Sequence, residues 1–171
     1  MLTPKAVRYG SGGFTLIEAM VTVAILAILA GLAGPSIESM MARFRARTGA
    51  DAIMSGLQLA RSEALRRNQP VRFTLDTGSA GWNVATVSPA ATIQTKNGGG
   101  HSRLSIATNA SQTTVTFLGT GMVESSGARL QQVDVSAGVV GANDWRIEVH
   151  NGGQIRLCDP ALSDANDPRT C

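Results

Sequence analysis

The chain has 171 residues, of which 43% are hydrophobic, 16% charged and 4% aromatic, and it carries 15 Lys and Arg against 12 Asp and Glu. This length favours one compact domain, alone or with an appended segment. The hydrophobic content excludes an intrinsically disordered chain, and a single long apolar run excludes a membrane protein of many spans. Two cysteines are too few for a disulfide-dense miniprotein.

The apolar run covers residues 14–34 and reads FTLIEAMVTVAILAILAGLAG, with Glu18 as its one charged residue. A helix of about 20 apolar residues crosses the hydrocarbon core of a bilayer, so this run predicts a transmembrane helix. The alternative is an ordinary secretory signal peptide, cleaved after the Gly-Leu-Ala of residues 31–33. The length of the run and the costly carboxylate inside it both disfavour that alternative.

The residues around Phe14 resemble those of a known group of proteins. The segment Gly12-Gly13-Phe14-Thr15-Leu16-Ile17-Glu18 is similar to the class III signal of type IV pilins and pseudopilins. The resemblance implies a leader at residues 1–13, cleavage between Gly13 and Phe14 by a prepilin peptidase, and N-methylation of Phe14. Glu18 is then the fifth mature residue and Pro35 the twenty-second, which are the positions of Glu and Pro in these families.

The chemistry of this segment agrees with a role in assembly. After cleavage, the amine of Phe14 and the carboxylate of Glu18 both lie in an apolar layer, where pairing lowers the cost of each charge. In a packed filament, Glu18 of an incoming subunit would pair with the Phe14 amine of its neighbour and set the axial register. Glu18 is therefore a predicted assembly residue, and the resemblance implies an assembly role for Pro35 as well.

Helical periodicity continues through residues 35–69, which we expect to form an amphipathic continuation of the same spine helix. One apolar stripe recurs at spacings of three and four, and Glu63 and Arg67 form a supporting pair on another face. Gly49 and Gly56 interrupt the helical pattern, and residues 68–70 (Asn-Gln-Pro) end it. The stripe consists of Ala46, Ala50, Ile53, Leu57, Ala60 and Ala64.

Residues 70–171 read as an antiparallel β domain, because short segments alternate between apolar and polar residues. Asn-Gly-Gly at residues 151–153 predicts a hairpin, and the glycine-rich segments 78–81, 96–100 and 119–121 predict loops. A spine helix packed on antiparallel sheets gives an α+β fold. The predicted strands begin at Val71 and continue with residues 82–87, 103–108, 113–118, 130–136, 145–150 and 154–158.

Cys158 and Cys171 allow two interpretations. They close a short loop as a disulfide in an oxidising compartment such as the periplasm, or they are free thiols in the cytosol. Basic residues flank the apolar run on both sides, so charge does not decide its orientation. We adopt the disulfide, which places residues 70–171 in the periplasm.

A second resemblance narrows the family. The segment Leu57-Gln58-Leu59-Ala60-Arg61-Ser62-Glu63-Ala64, followed by Arg66-Arg67 and Val71, is similar to the pilin-like GspH/FimT family, as is Asn-Gly-Gly-x-Ile-Arg-Leu-Cys at residues 151–158. The resemblance implies a pilin-like fold and a minor pilin that helps to initiate or cap a type IV pilus, with twitching motility and adhesion as associated functions. The loop closed by Cys158 and Cys171 is more similar to minor pilins than to pseudopilin H of a type II secretion system, which remains an alternative.

The same resemblance implies the partners and the location of the protein. The expected partners are other major and minor pilins, a prepilin peptidase and an inner-membrane assembly platform. The expected location is the bacterial inner membrane, crossed once, and then the pilus or pseudopilus fibre.

DNA binding is a further alternative, because some FimT-type pilins carry a C-terminal Gly-Arg-x-Arg motif implicated in DNA uptake. The matching residues are Gly153-Gln154-Ile155-Arg156, in which Gln154 replaces one arginine. A glutamine accepts or donates a hydrogen bond but releases no counterion from DNA, so DNA binding is expected to be weak. Arg156 should share a strand face with Gln154, and Arg146 is expected across the hairpin.

The sequence shows no enzyme motif, and no metal or cofactor is predicted. It contains no nucleophile elbow, P-loop or zinc-protease motif, and His101 and His150 are isolated. The acidic segment with Asp159, Asp164, Asn166 and Asp167 suggests a calcium loop, but its spacing matches no EF-hand. Aspartates that shape turns are the favoured interpretation.

Overall fold

The computed structural model describes residues 13–98, 104–139, 143–164 and 166–171, and within helix α1 it leaves the side chains of residues 32–36 undescribed. The leader up to residue 12 and His101 therefore lie outside the described residues. Helix α1 spans Leu16–Arg67, and the chain divides into two compact units, Met1–Ile37 and Glu38–Cys171. Within the described residues, no helix combines the length and the hydropathy that a membrane crossing requires.

The part of α1 in the second unit packs its apolar stripe into the core, as predicted. All six predicted stripe residues are completely buried. Glu63 accepts hydrogen bonds from Arg67, with Nε at 2.7 Å, and from Arg66, with Nη2 at 2.6 Å. The predicted Glu63–Arg67 pair is thus present, and Arg66 extends it to three charges.

The helix ends in a Schellman motif formed by residues 64–69. Asn68 has a φ of 50°, in the left-handed region that asparagine tolerates better than most residues. The amide of Gln69 donates to the carbonyl of Ala64, and the amide of Asn68 donates to the carbonyl of Leu65, both at 3.3 Å. These bonds satisfy two carbonyls of the last turn, and Pro70 then directs the chain into the first strand.

Eight strands follow α1 and form two antiparallel sheets of four strands each. The first sheet has the order β3-β2-β1-β5 and the second the order β4-β6-β7-β8. A short 3₁₀ helix at Asn109–Ser111 separates β4 from β5. The strands are β1 (Val71–Asp76), β2 (Gly81–Thr86), β3 (Ala91–Lys96), β4 (Ser105–Thr108), β5 (Thr114–Phe117), β6 (Gln132–Ser136), β7 (Trp145–Val149) and β8 (Ile155–Cys158).

Seven of these strands correspond to predicted ones, and within the described residues their ends differ by one or two residues. The predicted strand start at residue 103 and the predicted loop residues 99 and 100 lie outside the described residues. The prediction missed β3, and it wrongly assigned Lys96 to a loop. β3 is an edge strand, and five of its six residues are exposed, so it lacks the alternation of apolar residues that marks a half-buried strand. Ile93 is its one large apolar residue.

One hydrophobic core joins the helix to both sheets. Its largest buried side chains include Phe73 and Phe117 from the first sheet and Ile147 from the second. Trp82 anchors β2 to the helix, because its indole Nε1 donates to the carbonyl of Ala52 at 2.9 Å inside the core. The second unit is therefore the α+β module predicted from the sequence, with the helix packed on antiparallel sheets.

Candidate functional site

The predicted processing and assembly residues lie where α1 begins. Thr15 precedes the helix, and its Oγ1 accepts a hydrogen bond from the amide of Glu18 at 3.3 Å, as a helix-capping residue does. The Glu18 carboxylate is exposed in the first turn, where the helix dipole favours a negative charge. Gly13 is exposed, and Phe14 is 85% exposed. The predicted cleavage position and the predicted registry carboxylate are thus both accessible.

The first unit exposes apolar side chains over its described length. Every large apolar residue between residues 14 and 29 is more than half exposed. An apolar surface of this extent marks a region that contacts a partner or a lipid. Pro35 lies within the bounds of α1, but its side chain is outside the described residues, so its predicted assembly role stays a prediction. The exposed residues are Phe14, Leu16, Ile17, Met20, Val21, Val23, Ile25, Leu26, Ile28 and Leu29.

The candidate DNA-binding residues lie at the β7–β8 hairpin, which residues 151–153 close as predicted. Arg146 lies on β7, across the hairpin from β8 as expected, but it is not the residue directly opposite Arg156. Glu148 is the residue paired with Arg156, and Arg146 is paired with Cys158. The Nε of Arg146 instead donates a hydrogen bond to Oδ1 of Asp134 on β6 at 2.6 Å. This bond raises the pKa of the guanidinium.

Arg156 holds the C-terminal segment, residues 159–171, against β8. Its Nη2 donates to the carbonyl of Pro168 at 3.4 Å and to that of Thr170. Gln154 is exposed just before β8. The three residues proposed to bind DNA therefore form no row of cations: two arginines have protein partners, and the third residue is uncharged.

Cys158 and Cys171 form a disulfide, with an S–S distance of 2.17 Å. Cys158 is completely buried, whereas Cys171 is exposed. An isolated parallel bridge between Asp159 and Thr170 runs beside the bond, and the amide of Asp159 donates to the carbonyl of Arg169 at 2.7 Å. The C-terminal segment is thus fixed by hydrogen bonds as well as by the disulfide.

The acidic residues of the C-terminal segment shape its turns. Asp159 is 3% exposed, and its carboxylate accepts hydrogen bonds from the amide of Ala161 and from the side chain of Asn143. Asp167 accepts from the amide and the guanidinium of Arg169, which lowers its pKa to about 2. Within the described residues, no three carboxylates of this segment come together as calcium ligands would. The turn interpretation accounts for these contacts.

A groove that the sequence did not predict lies between α1 and β7, with a volume of about 420 Å³. Met40 and Phe44 line one side and Trp145 the other, and the guanidinium of Arg47 stacks 4.3 Å from the centre of the Trp145 ring. Arg47 also pairs with Asp51 at 3.1 Å. The one signal for this contact in the sequence is Trp145 at the start of a predicted strand. The sequence does not show which residue of the helix the end of that strand will contact.

Two known protein families match parts of the sequence. The family described as type II transport protein GspH matches residues 49–164, and the prokaryotic N-terminal methylation motif matches residues 8–34. No curated protein sequence matches the chain.

Two solved structures share the fold. The type IV minor pilin FimU of Pseudomonas aeruginosa is 18% identical, with a TM-score of 0.59 over 72% of this chain and 95% of its own. The minor pseudopilin EpsH from the type 2 secretion system of Vibrio cholerae is 15% identical, with a TM-score of 0.54 over 69% of this chain and 99% of its own. These likenesses establish the pilin-like fold, and the GspH match covers more than half of the chain. The chain therefore belongs to the GspH family of type II transport proteins and carries the N-terminal methylation motif.

Proposed function

We propose that the chain is a minor pilin, a structural subunit that helps to initiate or cap a type IV pilus. The family and the fold are those of pilin-like structural proteins rather than of enzymes, and such proteins work with other pilins in a pilus or pseudopilus. The observation that carries the proposal is the surface of the first unit. Directly after Gly13 and Phe14, this unit exposes Glu18 and a run of apolar side chains on one helix.

The apolar side chains of residues 14–34 anchor the subunit in the inner membrane before assembly, with the second unit in the periplasm. The Cys158–Cys171 disulfide supports this location, because the periplasm allows disulfides to persist. A prepilin peptidase removes residues 1–13 and methylates Phe14. The apolar helix then moves from lipid into the core of the fibre, where other pilin helices cover it.

The processing step is the direct test. Mass spectrometry of the protein purified from the membrane should find N-methylated Phe14 as the first residue. Substituting Gly13 by a bulky residue, Gly13→Leu, should leave the leader attached, whereas Gly31→Leu, far along the chain from the Gly13–Phe14 bond, should be processed normally. An N-terminus at Gly34 would identify an ordinary signal peptide and overturn the proposal.

A pseudopilin of a type II secretion system is the second candidate, favoured by the GspH family match and by the fold shared with EpsH. Deleting the gene separates the two candidates. Loss of surface pili with normal protein secretion supports the minor pilin. Loss of secretion with normal pili supports the pseudopilin, although processing at Phe14 is expected in both cases.

A further inference from the structure

The groove between α1 and β7 combines apolar and cationic side chains. Met40 and Phe44 of α1 line it and are 56% and 58% exposed. Arg47 also lines it, and its guanidinium stacks on the ring of Trp145 from β7. We propose that this groove binds the phosphate headgroup of an anionic phospholipid, an inference that rests on the proposed anchoring of residues 14–34 in the inner membrane.

Helical spacing places both kinds of side chain on one face of α1. Met40 and Phe44 are four residues apart, as are Arg43 and Arg47, and each arginine follows one of the apolar residues by three. Residues three and four apart are neighbours on a helix, so this face offers apolar contacts and cations side by side. Such a composition is typical of helices that lie at the surface of an anionic membrane.

The charges that line the groove favour an anionic ligand. Three arginines line it against one carboxylate, that of Asp159. Asp159 is 3% exposed, and its carboxylate already accepts hydrogen bonds from a backbone amide and from the side chain of Asn143. The cations are therefore the more accessible charges of the groove. They are Arg43, Arg47 and Arg169.

Two of these arginines are held in place through part of the guanidinium. Asp51 contacts Nε of Arg47 at 3.1 Å, and the ring of Trp145 lies against the guanidinium. Asp167 contacts Nε and Nη2 of Arg169 at 3.0 and 2.7 Å. Nη1 and Nη2 of Arg47 and Nη1 of Arg169 are the donors for the phosphate, because guanidinium groups match phosphate oxygens in geometry and charge. The paired carboxylates reduce the positive charge of the groove, so we expect moderate affinity.

The place of the groove in the chain favours a lipid over a soluble anion. The apolar run ends at residue 34, and the groove begins at Met40. Residues that directly follow a membrane-crossing segment meet the headgroups, where tryptophan is enriched and where basic residues are attracted to anionic lipids. The volume of about 420 Å³ has room for a headgroup. The acyl chains would then lie along the exposed side chains of Met40 and Phe44.

The test uses the full chain, purified in a neutral detergent, and the fluorescence of Trp145. Phosphatidylglycerol brominated near its headgroup should quench this fluorescence and saturate at one lipid per chain. Phosphatidylcholine with the same bromination should quench far less, because its headgroup carries no net charge. Glycerol phosphate, which has the anion without acyl chains, should compete only weakly. The emission of Trp82, which is 5% exposed, is the internal reference.

Two variants connect the binding to the groove. Arg47→Gln should weaken the affinity for phosphatidylglycerol by about fivefold. Phe44→Gln changes an exposed side chain and should also weaken it, which keeps the test valid if Arg47→Gln disturbs Trp145. The matched control Arg45→Gln removes the same charge from α1 at a residue that does not line the groove, and should leave the affinity almost unchanged.

The outcomes separate a lipid from other occupants of the groove. Equal quenching by the two lipids, or quenching that Arg47→Gln and Phe44→Gln both leave unchanged, would overturn the proposal. Competition by glycerol phosphate at the same concentration as the lipid would also overturn it, since the ligand would then be a soluble phosphate. Reduced incorporation of Arg47→Gln into fibres with unchanged quenching would instead identify an acidic surface of a neighbouring pilin as the occupant.

Processing at Phe14 is measured separately and distinguishes this inference from the proposed function. A chain that is processed normally but shows no preference for phosphatidylglycerol refutes the lipid site and leaves the minor pilin proposal intact. An N-terminus at Gly34 overturns both, because the anchor would then be absent from the mature protein.

Discussion

At the scale of single residues, Glu18 tests the assembly model most directly. It is exposed in the first turn of α1, so it is available to the Phe14 amine of a neighbouring subunit. Glu18→Ala should leave the chain inserted in the membrane but strongly reduce its incorporation into fibres, because breaking a buried ion pair costs about 3–5 kcal/mol.

The measurement is the amount of the subunit in sheared fibres relative to the membrane fraction, at native expression. Glu38→Ala, which removes an exposed glutamate from the other unit of the chain, is the control and should be incorporated normally. Equal incorporation of both variants would show that Glu18 sets no register.

Glu63 should make the stability of the second unit depend on acid pH. Hydrogen bonds from Arg66 and then Arg67 lower the pKa of Glu63 to about 2. A carboxyl whose pKa is lowered by folding stabilises the protein fully above its unfolded pKa, about 4.3, and this contribution is lost as pH falls towards 2. Thermal unfolding should therefore show a destabilisation by Glu63→Gln at pH 6 that shrinks between pH 4.5 and pH 2.

The control for that measurement is Glu38→Gln. Glu38 is an exposed glutamate, and the sequence places no arginine three or four residues away from it. Its effect on the unfolding temperature should be small at both ends of the pH range. A destabilisation by Glu63→Gln that is the same at pH 6 and pH 2 would contradict the assigned ion pairs.

At the scale of elements, the contact between α1 and the first sheet depends on Gly56. A Cβ atom there would lie 2.6 Å from Cε2 of Trp82 and 2.8 Å from Cε2 of Phe73. These rings are fixed in the core, so Gly56→Ala should destabilise the protein by about 1–3 kcal/mol, less the roughly 1 kcal/mol that alanine gains in a helix. Calorimetric unfolding of the second unit measures the difference.

Gly152→Ala is the control, because nothing lies within 4 Å of a Cβ at that position. Gly49→Ala is the informative comparison: its Cβ would approach the flexible Cδ1 of Leu104 at 2.5 Å, which has more freedom to move than an aromatic ring. We expect Gly49→Ala to destabilise less than Gly56→Ala. The reverse order would show that ring packing does not fix the distance between helix and sheet.

The helix was predictable because its signals are local. The buried stripe follows from spacings of three and four, and the Asn68–Pro70 stop appears in the structure as a Schellman motif. The β7–β8 hairpin was predictable for the same reason, since Gly153 has a φ of 80° that favours glycine. The role of Gly56 could not be predicted, because its partners, Phe73 and Trp82, lie far along the chain. Helix propensity alone describes Gly56 only as a residue that weakens the helix.

At the scale of the whole molecule, the sequence predicts which residues are charged but not which charges are already paired. Arg156 was chosen for DNA because it matches the second arginine of the Gly-Arg-x-Arg motif, and Arg146 because it was expected across the hairpin, where β7 places it. Their partners come from elsewhere: Asp134 from β6, and carbonyls from the C-terminal segment. The register of β6 against β7 determines the contact of Arg146, and the path of the C-terminal segment determines the contact of Arg156. The sequence of the hairpin alone predicts neither of these.

These contacts predict weak DNA binding. Affinity for DNA rises with the number of cations that are free to contact its phosphates. Arg156 and Arg146 already have protein partners, and Gln154 is uncharged. We expect the full chain in detergent to bind duplex DNA no tighter than about 10⁻⁴–10⁻⁶ M at physiological salt, as non-specific binding does. Gln154→Arg should strengthen binding, since residue 154 is exposed and has room for a cation that reaches DNA.

Fluorescence anisotropy with labelled DNA, repeated at several salt concentrations, measures both the affinity and the number of phosphate contacts. Lys96→Gln, at the end of exposed β3 in the other sheet, is the control and should leave binding at the hairpin unchanged. Arg156→Ala should weaken binding only slightly, because its guanidinium already serves the carbonyls of Pro168 and Thr170. Submicromolar binding that Arg156→Ala abolishes would instead make the hairpin a DNA receptor, and would mean that the C-terminal segment releases Arg156 when DNA arrives.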